Sequence, residues 1–176
     1  QEMKFGVVTV PGANCDEDMV HVLEAMSERP VERLWHKDHD LRGCDMVMLP
    51  GGFSFGDYLR SGAIARFSPI MQEVAQHAEK GGLVLGVCNG FQVLGEAGLL
   101  PGELLNNEGR KFICLNVHIR VDSRNTLLTE GLKEHPLRIP IAHGEGRYHA
   151  DGETVKRLND EDQVLFRYCD MEGRLK

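Results

Sequence analysis

Leu83-Val84-Leu85-Gly86-Val87-Cys88-Asn89-Gly90-Phe91-Gln92 is the stretch on which the fold turns. An apolar run ends there, and a helix-like run, Phe91–Ala97, starts a few residues later. Leu83–Val87 reads as a strand buried on both faces, which suits a parallel sheet covered by helices. Between strand and helix stands Gly86-Val87-Cys88-Asn89-Gly90, the pattern of a nucleophile elbow with Cys in place of Ser. So sharp a turn forces its central residue into a strained backbone conformation and lifts the side chain clear of the sheet. The residues two before and two after it crowd each other, so both must be small, and both are Gly. Cys88 would then stand at a helix N-terminus, where unpaired N–H groups favour a thiolate. The plainer alternative is that Gly86 and Gly90 only permit close strand–helix packing around an inert cysteine.

Upstream, short apolar runs alternate with helical patterns. Phe5–Val10 is β-branched and closed by Pro11-Gly12. Asn14 is positioned to cap a helix running to Ser27, with Asp16, Glu17 and Asp18 in its first turn and Met19, Val22, Leu23 and Met26 at helical spacing. Val31–His36 and Met46–Leu49 read as further strands. Ile64, Phe67, Ile70, Met71, Val74 and Ala78 share one helical face, ended by Gly81-Gly82. Downstream, Phe112–Val121, Leu137–Ile141 and Val164–Tyr168 read as strands and Glu153–Leu158 as a short helix. This order predicts a three-layer α/β/α sandwich around a mostly parallel sheet, in one domain over residues 1–176.

Pro50-Gly51-Gly52-Phe53-Ser54-Phe55-Gly56-Asp57 ends the strand expected beside the elbow. Sites in open parallel sheets form at the carboxyl ends of strands, so this loop should face Cys88. Gly52 N–H and Asn89 N–H would together make a two-donor hole for an oxyanion. A phosphate loop does not fit, because no Gly-Lys-Ser/Thr follows and no G-x-G-x-x-G occurs. A flexible turn is the other alternative.

Composition narrows the field. The 176 residues carry 20 basic and 27 acidic side chains, a net charge of −7, which speaks against nonspecific nucleic-acid binding. No run approaches the roughly 18 apolar residues of a membrane span. Gln1–Lys4 leads straight into Phe5–Val10, so no signal peptide is expected. Five cysteines, at 15, 44, 88, 114 and 169, include no C-x-x-C pair. That argues against disulfides or a cysteine zinc site and for a reducing, cytoplasmic setting. Cys44, Cys114 and Cys169 flank strand-like runs and read as core thiols. Trp35-His36-Lys37-Asp38-His39-Asp40 gathers metal-capable residues, but a solvated loop is the better account, and no metal site is expected. Cys15–Asp18 lacks calcium-loop spacing and reads as an acidic helix start. Arg66 and Glu108–Lys111 are candidates to face a partner or an anion, against the simpler reading of solvated surface.

Five stretches together carry a resemblance: Pro11–Asp16, Pro50–Leu59, Ser61–Arg66, Gly86–Gln92 and Ile141–Gly146. On them the chain resembles the class I, triad-type glutamine amidotransferases, a flavodoxin-like fold. Within that family it is similar to glutaminase subunits that feed ammonia to an ATP-dependent synthetase of purine biosynthesis. The resemblance implies that Cys88 attacks the side-chain amide of glutamine and that Gly52 and Asn89 supply the oxyanion hole. It implies that Gln92 holds the glutamine, and that backbone at Gly144 and Glu145 reads its α-amino and α-carboxyl groups. The implied partners are a large synthetase subunit, which would hold the ATP and Mg2+, and a third, small subunit. No cofactor is expected in this chain itself.

The family completes its triad with a His-Pro-Glu run near its C-terminus. That run is absent from residues 1–176, and the reading is of an incomplete record of a longer chain. His143-Gly144-Glu145 has a similar spacing, but its neighbours match the substrate-pocket motif instead. Two other functions stand beside the first. One is a thiol protein of the DJ-1/PfpI type, against which Gln92 and the Gly51–Asp57 loop argue. The other is a non-catalytic partner-binding module.

Overall fold

The computed structural model describes residues 2–176; Gln1, where the expected domain and leaderless start begin, lies outside them. Contacts divide the chain into two units, one running to Glu103 and one over Leu104–Lys176.

The first unit contains a four-stranded sheet in the order β2-β1-β3-β4, formed by β1 (Phe5–Thr9), β2 (Glu32–Trp35), β3 (Met46–Leu49) and β4 (Leu83–Gly86). All three pairings are parallel. In register, Val7 stands beside Met48 and Met48 beside Leu85, so these side chains share one face. Val7 and Met48 pack there with Val20, Met19 and Leu23 of α1 (Asp16–Ser27). The other face carries Val8, Leu34, Val47 and Leu49, packed with Ile70, Met71 and Val74 of α2 (Pro69–Glu79) and Val93 and Leu94 of α3 (Asn89–Glu96). Helices on both faces make this unit the expected three-layer sandwich.

Boundaries moved where local chemistry overrode periodicity. α1 is preceded by Cys15 as N-cap, with no side-chain capping bond, so Asn14 does not cap it. α2 starts only at Pro69, with Ser68 before it. The fixed φ and missing N–H of proline suit the first helical position. Ile64 and Phe67, expected on the same helical face, precede that start; Phe67 lies in a 3-10 turn, Ala65–Phe67, and is 71% exposed. β4 is half-buried rather than fully buried, because it lies at the sheet's edge among the described strands.

The second unit is antiparallel. β6 (Ile113–Val121) pairs with β7 (Leu137–His143) on one side and β9 (Phe166–Cys169) on the other. Two short strands, β5 (Glu103–Leu105) and β8 (Arg147–His149), form a separate ribbon. α4 (Gly152–Asp160) is capped by Asp151, whose Oδ1 accepts from Thr154 N–H at 2.8 Å. Cys44 and Cys169 are core thiols as expected, but Cys114 is exposed. It lies on the stretch of β6 where Cys114, Leu115 and Asn116 are all open to solvent.

Candidate active site

The elbow is built from main-chain constraints. Val87 N–H donates to Leu49 O at 3.0 Å, holding the end of β4 against β3. The next residue, Cys88, turns the chain with φ 54° and ψ −112°, and α3 begins at Asn89. A non-glycine residue at that φ is strained and persists only where its surroundings over-determine it. The flanking glycines are steric necessities. A Cβ on Gly86 would lie 2.6 Å from Gly90 O, and one on Gly90 would lie 2.0 Å from Leu49 O. Real Cβ atoms do not approach within 3.0 Å. The outcome is an exposed Cys88 above a buried Asn89 and Gly90.

The glycine loop does face it. A Cβ placed on Gly51 would sit 3.5 Å from Cys88 Cβ and 3.6 Å from Cys15 Sγ. Gly52 follows at φ 133°, where a Cβ would fall 2.4 Å from Asn14 N, so only glycine fits. The Pro11–Cys15 segment straps this loop down. Cys15 N–H donates to Gly51 O at 3.3 Å, Phe53 N–H to Gly12 O at 3.0 Å and Phe55 N–H to Pro11 O at 2.6 Å. These bonds fall on the neighbours of Gly52. Asn89 N–H is the first amide of α3 and belongs to the turn that has no intrahelical acceptor. An exposed sulfur, a glycine loop and a helix start therefore meet at one place.

The sequence marks Asn89 only for its backbone N–H, and the structure gives its side chain a task of its own. It is 4% exposed. Its Oδ1 accepts from Ser54 N–H at 3.2 Å, while Nδ2 donates to Asp57 Oδ1 at 3.4 Å and to Gln92 Oε1 at 3.1 Å. Gln92 is thus held at the elbow. Arg66, a candidate to face a partner, instead donates from Nη1 to Glu96 O at 3.0 Å, with its guanidinium 4.4 Å from the centroid of the Phe67 ring. Arg60 joins it at Glu96, 2.8 Å away.

Cys15 stands close to Cys88, a proximity the sequence did not reveal. Burial pushes the Cys15 thiol up from its ordinary pKa, and negative charge at Asp18, Cys88 and Asp16 adds to this. Cys15 is thereby biased towards its thiol form. Of the Trp35–Asp40 run, His36 is buried rather than solvated. Its ring packs edge-on against Trp35 and Phe55, and Nδ1 lies 3.4 Å from Ser68 Oγ. Among the described residues no group of three or more His, Cys, Asp or Glu side chains could hold a metal ion. None of the described helices is long and apolar enough to cross a membrane.

In the second unit, Gly144 and Glu145 follow β7 directly. Their loop is organised by Asn107, which no sequence signal singled out. Asn107 N–H donates to Gly144 O at 2.9 Å, and Nδ2 donates to Lys111 O at 2.8 Å and His143 O at 2.9 Å. Oδ1 accepts from Gly146 N–H at 3.0 Å and meets His143 Nδ1 at 2.9 Å. With Nδ2 spent on two carbonyls the amide orientation is set, so His143 Nδ1 must be the donor. His143 is a clamped strand-end residue in this arrangement. Glu108 and Arg110 line a cleft of about 560 Å³ with Leu105, Asn106, Asn107 and Arg147.

Comparison with known proteins adds an independent line. The family described as CobB/CobQ-like glutamine amidotransferase domain matches residues 2–176. Phosphoribosylformylglycinamidine synthase subunit PurQ of Koribacter versatilis is 52% identical over 174 residues, 98% of this chain and 75% of that protein. The protein of the same name from Synechocystis is 54% identical over 172 residues, 97% and 77% of the two chains. The solved structure of PurLQS from Thermotoga maritima superposes with a TM-score of 0.81 at 41% identity, covering 99% of this chain and 78% of that one. A glutamine amidotransferase from Thermotoga maritima, 17% identical with a TM-score of 0.59, covers 85% of this chain and 64% of its own, and shares the fold.

Proposed function

We propose that this chain, which belongs to the CobB/CobQ-like glutamine amidotransferase domain family, is the glutaminase subunit of a phosphoribosylformylglycinamidine synthase. The observation that carries the reading is the backbone of Cys88, turned to φ 54° and ψ −112° so that an exposed sulfur stands over a helix start and beside a glycine loop. Relatives about half identical along nearly the whole chain favour it over a DJ-1/PfpI-type thiol protein or a non-catalytic module.

The chemistry follows from that placement. The Cys88 sulfur attacks the γ-amide carbon of glutamine, and the carbonyl π pair moves onto oxygen. Gly52 N–H and Asn89 N–H receive that oxyanion in the tetrahedral intermediate. The C–N bond breaks, nitrogen leaves with an added proton as ammonia, and a γ-glutamyl thioester remains. Water cleaves the thioester to glutamate and returns the thiol. Gln92, held at the elbow by Asn89, holds the amino-acid substrate. The proton for ammonia is the task of the family's His-Pro-Glu pair, which residues 1–176 do not contain. Ammonia passes to a large synthetase subunit, accompanied by a small third subunit, where ATP and Mg2+ serve formation of formylglycinamidine ribonucleotide. The glutaminase subunit uses no cofactor of its own and works in the cytoplasm.

The test is Cys88→Ala in the complete encoded protein assembled with its synthetase. Glutamine-driven synthesis should vanish while synthesis from added ammonium salt persists. Retention of glutamine-driven synthesis would remove the proposal.

A further inference from the structure

The oxyanion cradle has two halves on different elements. Gly52 belongs to the loop after β3, and Asn89 N–H opens α3. The backbone bonds that secure the loop run to Pro11, Gly12 and Cys15, away from α3. The Asn89 side chain crosses to the loop itself: Oδ1 takes the Ser54 N–H and Nδ2 reaches Asp57, while the same Nδ2 grips Gln92 on α3. Ser54 is 3% exposed and Asn89 4%, so the bond between them is made out of water.

We propose that the Asn89 side chain is a positioning residue that sets the spacing between the two halves of the cradle, so that both amides reach the oxyanion together. This rests on the glutaminase reading above. Without the side chain, the buried Ser54 N–H loses its acceptor, and the loop must move or admit water to satisfy it. The loop is ready to move, because Phe55 and Asp57 both sit at left-handed φ, 51° and 53°, and hold only while contacts over-determine them. Ground-state glutamine does not need both amides at full contact, but the oxyanion does. The loss should therefore appear in the transition state and in molecules that mimic it.

Glutamate γ-semialdehyde, the aldehyde counterpart of glutamine, is the probe. The Cys88 sulfur adds to the aldehyde carbon, the thiol proton passes to the aldehyde oxygen, and nothing leaves. In the complete protein assembled with its synthetase, Asn89→Ala should weaken semialdehyde binding about tenfold or more and lower kcat with glutamine by a similar factor. The KM for glutamine should rise by a smaller factor than kcat falls, since Gln92, which loses its bond to Asn89, acts on ground state and transition state alike. Ammonia-driven synthesis by the same assembly reports folding and docking. Asp57→Ala, on a half-buried loop position, should show the same pattern more weakly, and Asp57→Asn, which keeps an acceptor, should restore it. Unchanged semialdehyde affinity in Asn89→Ala overturns the inference, as does an equal loss of ammonia-driven synthesis. Should Asn89→Ala not fold, equal behaviour of Asp57→Ala and wild type overturns it. If wild-type protein fails to bind the semialdehyde through Cys88, the glutaminase reading itself has failed.

Discussion

Adding one methyl group at Gly90 is the sharpest challenge to the elbow. The new Cβ would fall 2.0 Å from Leu49 O, 2.6 Å from Leu49 C and 2.8 Å from Leu49 Cβ. Ordinary contact begins near 3.4 Å, and the obstacle is strand backbone, which cannot rotate away. α3 must therefore retreat from β3 by at least about 1 Å to clear the 3.0 Å limit, an overpacking that costs about 1–3 kcal/mol. For a chain of this size that lowers Tm by about 3–10 °C. The functional cost is larger, because Leu49 leads directly into Gly51 and Gly52. Retreat of α3 pulls Cys88 and Asn89 N–H away from the other half of the cradle, and a misplacement of about 1 Å costs about a hundredfold in rate. Gly90→Ala should thus lose glutamine-driven synthesis by about two orders of magnitude while ammonia-driven synthesis continues. Gly152→Ala, with open space around it at the start of α4, should be neutral or slightly stabilising. Wild-type Tm and glutamine turnover in Gly90→Ala would refute the steric argument.

Burial holds His36 below its ordinary pKa, with the Lys37 charge adding to the effect. The unfolded chain then takes up a proton first as pH falls, so stability is complete above about pH 6.5 and declines below it towards the lower folded value. Denaturation midpoints of wild type should drop between pH 7.5 and 5.5 by more than those of His36→Phe; parallel profiles would contradict this. Asp151→Ala should loosen the start of α4, read as faster amide exchange there, since Thr154 N–H loses its cap. Brief labelling of the folded chain with a thiol reagent, mapped by mass spectrometry, should mark Cys15, Cys88 and Cys114 and spare Cys44 and Cys169. Early labelling of Cys44 would mean that it is not the core thiol described above.

The parts legible in the sequence were those that local chemistry decides. Gly86 and Gly90 announced the elbow because no other residue fits there, a β-branched run announced β1 and a short apolar run announced β3. The start of α2 was misplaced because Ile64 and Phe67 fell in phase with its apolar face, although Ser68-Pro69 marked the true beginning. The three-residue strands β5 and β8 are too short to show a period. Asn107 and the Asn89 side chain stayed hidden for a different reason. Ser54 and Asp57 lie 35 and 32 residues from Asn89, His143 and Gly146 lie 36 and 39 from Asn107, and hydrogen bonds at that range leave no local pattern. Cys114 looked like a core thiol because its neighbours are apolar, but that part of β6 is open.

The strap between Pro11–Cys15 and the glycine loop is written entirely in main-chain atoms, and this separates shape from side-chain identity. Phe53 illustrates it: its N–H is anchored to Gly12 while the residue is 58% exposed to solvent. Such a position accepts a new chromophore without disturbing the scaffold beneath. A tryptophan installed there would be an optical gauge of events at the neighbouring sulfur, in a protein whose lone native indole sits elsewhere, at Trp35.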